Sequence, residues 1–156
     1  TATPGFVWHA SVRPAPLLWI EARDCLLSGR GNMLVKFVST FTIADATGPE
    51  IDQGASLRWL AEGMWFPYAF VGDQIEWAPI DTRSARVTLR TPGLPVSAVV
   101  DFDDEGKLAS LRGDRYRDVG GKGGLTPWVG RSSDYRDYVR FRVTTLEYNV
   151  ADQFVS

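Results

Sequence analysis

The sequence predicts an α+β fold in which a curved antiparallel β-sheet, built as a meander or half-barrel, wraps over one main amphipathic helix. Three observations predict it. Apolar and polar residues alternate with a period of two over most of the chain, as half-buried strands require. A single segment, about residues 49–66, carries apolar residues at helical spacing. The strand-like runs are separated by short turns rich in Gly, Pro and Asp, which favour pairing between neighbours in the chain.

The first run puts Phe6, Trp8, Ala10 and Val12 on one parity and His9, Ser11 and Arg13 on the other. Pro14 and Pro16 are expected to end it, because proline cannot donate to a ladder. Leu18, Ile20 and Ala22 then alternate with Trp19, Glu21 and Arg23, and Ser28 to Asn32 supplies a turn. A third strand is expected from Met33 to Ile43, with Met33, Val35, Phe37, Phe41 and Ile43 on one face.

The pattern changes at Gly48-Pro49-Glu50-Ile51-Asp52. Proline suits the first helical position, and the two carboxylates suit the positive end of the helix dipole. Leu57, Leu60, Ala61, Met64 and Trp65 form one apolar stripe, Arg58 and Glu62 are set for an i, i+4 pair, and Pro67 stops the helix. Further strands are expected around Ile75 to Ile80, Ala85 to Arg90, Val96 to Phe102 and Lys107 to Tyr116. Asp103-Asp104-Glu105-Gly106 between the last two is a hairpin signal, since glycine tolerates positive φ. Val119 to Ser133 reads as a glycine-rich, aperiodic loop, and a final strand runs from Val139 to Val150.

Composition narrows the function classes. A chain of 156 residues has the length of one domain, 1–156, with no internal boundary or repeat. Apolar residues make up 44% and charged residues 23%, ordinary globular values, and a net charge of −2 does not attract nucleic acid. The lone Cys25 excludes an internal disulfide framework and a clustered-thiolate metal site. Charges interrupt every apolar run before it reaches the roughly 18 residues of a membrane span. The chain starts at Thr1, so a targeting segment stays an open question, as does the compartment, with the cytoplasm preferred.

Common catalytic signatures are missing. Gly120-Gly121-Lys122-Gly123-Gly124 lacks the spaced glycine and the Ser or Thr of a phosphate loop and reads more simply as a mobile loop. His9 is the only histidine, and on the polar parity of a strand it reads as an ordinary surface residue rather than a general base. Asp45, Glu50, Asp52 and Glu62 surround the helix, and a carboxylate facing an apolar pocket would act as acid or base near neutral pH. Capping and pairing with Arg58 explain them more simply. The many arginines of the second half are interleaved with aspartates, as on charge-paired solvent faces.

Asp45-Ala46-Thr47-Gly48-Pro49-Glu50-Ile51-Asp52-Gln53-Gly54, followed by Arg58-Trp59-Leu60-Ala61-Glu62-Gly63-Met64-Trp65-Phe66-Pro67, resembles a bacterial family of unknown function, DUF6544 (also DUF6920). Trp77-Ala78-Pro79-Ile80-Asp81, Asp101 to Gly106 and Arg115 to Val119 are similar to later blocks of that family, so the likeness covers most of the chain. It implies a fold but no activity. Family members carry an extra hairpin after the region of Ser133 to Tyr138, whereas here Tyr138 runs directly into Val139.

A curved sheet over one helix is concave, and space the two leave unfilled becomes a pocket, as in lipocalin-like and lipoprotein-carrier-like folds. The leading expectation is a binding or carrier module for a hydrophobic or amphiphilic small molecule held between sheet and helix. Its contacts are expected at Trp59, Trp65, Tyr68 and Trp77. The alternative is a cofactor-independent isomerase, cyclase or lyase, with Glu62 or Asp45 as acid or base and Arg112 or Tyr116 stabilising negative charge. A third reading is an interaction domain with a fully packed pocket. No cofactor, metal or nucleic-acid partner is expected, and the oligomeric state is open.

Overall fold

The computed structural model describes residues 4–93, 95–119, 122–138 and 141–150. A four-stranded antiparallel meander comes first: β1 (Phe6–Ala15), β2 (Leu18–Leu27), β3 (Arg30–Phe37) and β4 (Phe41–Ala46). The chain then forms α1 (Pro49–Glu62) and a 3-10 turn over Pro67–Val71. A six-stranded antiparallel meander follows: β5 (Ile75–Pro79), β6 (Ser84–Leu89), β7 (Val96–Phe102), β8 (Leu108–Val119), β9 (Lys122–Tyr138) and β10 (Phe141–Val150). Among the described residues the expected antiparallel meander and one α-helix are therefore present, but the strands divide into two open sheets. The division falls at the helix. β4 and β5 flank α1 in the chain, and each is the edge strand of its own sheet.

Local chemistry explains where the strands end. β1 and β2 are joined by Pro16-Leu17, with Leu17 at φ 65°, and the pairing Ala15↔Leu18 carries β1 past Pro14 through an irregularity after Val12. The stretch expected as one strand from Met33 to Ile43 is instead a hairpin. It reverses at Val38 and Ser39, both at positive φ, where no glycine or asparagine signals a turn. The indole of Trp19 donates to Ser39 Oγ at 2.8 Å, and Val38 N–H donates to Trp19 C=O, so contacts from β2 hold this turn. The hairpin expected at Asp103 forms as read: Asp103 Oδ1 accepts the N–H groups of Glu105 and Lys107, and Gly106 sits at φ 75°.

The glycine-rich stretch departs most from its expected loop. β8 runs on to Val119, and β9 begins at Lys122 and pairs with it through Arg117↔Gly124 and Asp118↔Gly123. The ladder is a backbone property, so strand pairing supplied by β8 overrides weak local propensity. Gly120, Gly121, Val139 and Arg140 lie outside the described residues.

α1 ends at Glu62, not at residue 66. From Met64 onward the N–H groups reach back three residues, Met64 to Ala61, Trp65 to Glu62 and Phe66 to Gly63, which tightens the last turn. A side chain at Gly63 would meet the Phe70 ring at 2.8 Å, so the glycine lets the 3-10 turn fold back on the helix end. Leu57, Leu60 and Ala61 of the expected stripe are buried, and they pack with Val87, Leu89, Val96, Ala98, Val100, Leu111 and Trp128 of the second sheet. Met64 borders this core, whereas Trp65, beyond the helix, is 38% exposed.

Candidate functional site

From Ile51 to Glu62 no residue of α1 is exposed, although the segment carries Asp52, Gln53, Arg58 and Glu62. Each of these polar side chains is satisfied by a neighbour. On one side the helix meets the first sheet. Gly31 N–H donates to Asp52 Oδ1 at 2.6 Å, and Arg58 donates to Asp24 of β2 and to Glu62, both at 2.7 Å. The Arg58 guanidinium also stands 5.1 Å from the ring centres of both Phe6 and Trp8 on β1. Burial alone would lower the Arg58 pKa, but the hydrogen bonds and charges of Glu62 and Asp24 outweigh it and hold the group above its ordinary value.

On its other side the helix meets β8. The last pair between β7 and β8 is Val99↔Arg112, so beyond it β8 has backbone groups that β7 does not reach. The Gln53 amide takes them up. Its Nε2 donates to Asp114 C=O at 2.6 Å, and its Oε1 accepts Tyr116 N–H at 3.0 Å. The helix is thus a middle layer, bonded to one sheet through Asp52 and Arg58 and to the other through Gln53 and the Leu57 stripe.

Beside the first half of α1 the two sheets do not close on each other. A cavity of about 440 Å³ remains, with Asp24 and Met33 on the first sheet, Glu50, Ile51, Gly54 and Ala55 on the helix, and Arg115, Tyr116, Thr126, Pro127 and Trp128 on β8 and β9. Gly54 and Ala55 make this room because they put almost no side chain there. An added methyl at Gly54 would lie 3.5 Å from Arg115 Nε, in ordinary contact. The wall combines apolar surface from Met33, Ile51, Ala55, Pro127 and Trp128 with the charged groups of Asp24, Glu50 and Arg115.

A second cavity, of about 430 Å³, lies at the other end of the helix between Trp59, Phe66, Tyr68 and the segments Pro4-Gly5 and Gly72-Asp73. The residues singled out in the sequence are distributed among several places. Trp59 and Tyr68 line this second cavity, while exposed Trp65 lines neither cavity. Trp77 lies on the edge strand β5, where its indole donates to Phe70 C=O at 3.2 Å and meets the Phe70 ring edge-on. Glu62 is held by Arg58, and exposed Asp45 accepts from the Asn32 amide at 2.9 Å. Arg112 grips Asp101 through both Nε and Nη2. Of these, Tyr116 alone borders the first cavity, so the four acid, base and charge-stabilising residues do not converge.

Met33, Gly54, Ala55, Arg115 and Trp128 line the first cavity but were not singled out by sequence. Trp128 sits in the stretch read as a loop, and a glycine inside a helix was the one usable signal for Gly54. Among the described residues no three His, Cys, Asp or Glu side chains gather closely enough to hold a metal ion. Among them, too, no helix is long and apolar enough to cross a membrane. Neither the curated proteins nor the solved structures include a match to this chain. A family model matches residues 1–148, nearly the whole chain, a range that includes α1 and every residue lining the first cavity: the chain belongs to DUF6544, a family of unknown function.

Proposed function

We propose that the protein is a binding or carrier module that holds a hydrophobic or amphiphilic small molecule between its two sheets and the first half of α1. The observation that carries this reading is the 440 Å³ cavity, a volume within the range of roughly 300 to 1,000 Å³ typical of small-molecule sites. Its apolar wall supplies the burial that drives binding, and Glu50, Arg115 and Tyr116 at its border supply the few polar groups that would orient a ligand. A binding role is favoured over the acid and base reading because Glu62 and Asp45 lie outside this space and Glu62 is tied to Arg58.

A fluorescent amphiphilic probe, anilinonaphthalene sulfonate, whose aromatic rings carry one anionic sulfonate, tests it. The reading expects saturable binding at one site per chain. Gly54→Met, which grows a flexible side chain into the cavity, should weaken that binding at least tenfold at a melting temperature no lower than that of the wild type, since methionine suits a helix interior better than glycine. Equal affinity in wild type and variant would place the probe elsewhere and remove the support.

A further inference from the structure

We infer that the ligand is a long-chain amphiphile whose polar end stays at the cavity while its tail lies along the first sheet, over Val35 and Phe37. This rests on the binding role proposed above. Strand register carries the argument. Asp24 and Met33, the cavity's floor, are cross-strand partners, and the next pairs on the same face are Ala22↔Val35 and Ile20↔Phe37. β1 continues these rows with Ala10 and Val12, and β4 with Ala44 and Phe41. Past Asp24 this face presents no polar side chain.

The helix does not cover it. α1 touches the first sheet at Gly31, at Asp24 and over the Phe6 and Trp8 rings, all at one end of the strands. At the other end Val12 is 59% and Phe41 65% exposed, and Met33, at the junction with the cavity, is 44% exposed. An apolar surface partly exposed at Val35 and Phe37 and open to water at its margins, beside a cavity lined by Arg115, Glu50 and Tyr116, has the polarity of an amphiphile laid head to tail. The run from Met33 to Phe37 is about 13 Å long at the rise of a strand. That is the length of roughly ten methylenes in an extended chain.

Displacement of bound anilinonaphthalene sulfonate by n-alkyl glucosides of increasing chain length, below their micelle concentrations, tests the inference. Their uncharged head makes the trend report the tail. Affinity should rise about twofold per methylene, because one side of the tail stays in water, and level off near ten carbons. The variant Val12→Asp/Phe41→Asp alters two exposed positions and should flatten the rise without changing the affinity for the probe itself.

Equal displacement by short and long chains, or a rise that survives in the variant, would overturn the amphiphile while leaving the cavity's binding role in place. Failure of the probe to bind at all would remove both. A concentration-dependent dimer that the double variant abolishes would assign this face to a second copy of the chain and overturn the inference as well.

Discussion

Leu17 holds φ at 65° at the tip between β1 and β2, with 88% of its surface exposed. After Pro16 this is the position of a type II turn that suits glycine, because the Cβ of any other residue crowds the backbone there. Leu17→Gly should raise stability by about 0.5 to 1 kcal/mol, the relief of strain exceeding the added chain entropy. Urea unfolding measures it, and a lower midpoint in the variant would contradict the account. Asp101 supports a pH prediction. The hydrogen bonds from Arg112, with help from Ser110, hold its carboxyl below the ordinary value against the opposing effect of burial. A depressed folded pKa contributes stability that is present above the unfolded value near 4 and is lost as pH falls through the folded one. The stability difference between wild type and Asp101→Asn should therefore narrow as pH drops from about 5 to about 2. A difference that stays constant over that range would contradict the assignment.

At the scale of elements, Gln53 joins the helix to β8 where β7 falls short. Gln53→Leu leaves the Asp114 C=O and Tyr116 N–H to water or to nothing, and should cost about 1 to 3 kcal/mol in urea unfolding. A change below about 0.3 kcal/mol would mean that solvent replaces the amide without loss. The same junction shows why some elements were legible in the sequence and others were not. Period-two alternation placed β1, β2, β6 and β7, and the Leu57, Leu60, Ala61 stripe placed α1; β6, β7 and the stripe are legible because they face one core, whereas β1 and β2 alternate in the other sheet. The Val38-Ser39 reversal was hidden because its positive φ is imposed by contacts from β2, among them the Trp19 indole, and not by glycine. β9 was hidden because its opening strand, with Gly123 and Gly124, depends on pairing with β8.

For the whole molecule, the decisive feature is a helix used on two sides. Its Leu57 side is apolar and readable as a stripe, whereas its Asp52 and Arg58 side binds a second sheet through polar contacts that resemble a solvent face in the sequence. A single wrapped sheet was therefore the natural expectation, and the division into two sheets opens a cavity at Gly54 and Ala55, away from the helix exit, where a second of nearly equal volume lies beside Trp59. The aromatic residues were legible by composition. Trp128 and Arg115 became site residues only through strand order. Native mass spectrometry of the protein purified from its own host tests the central claim most directly. The account predicts one non-covalently bound amphiphile per chain in the wild type and none in Gly54→Met. A wild-type spectrum showing the bare polypeptide, unchanged after incubation with long-chain amphiphiles, would contradict it.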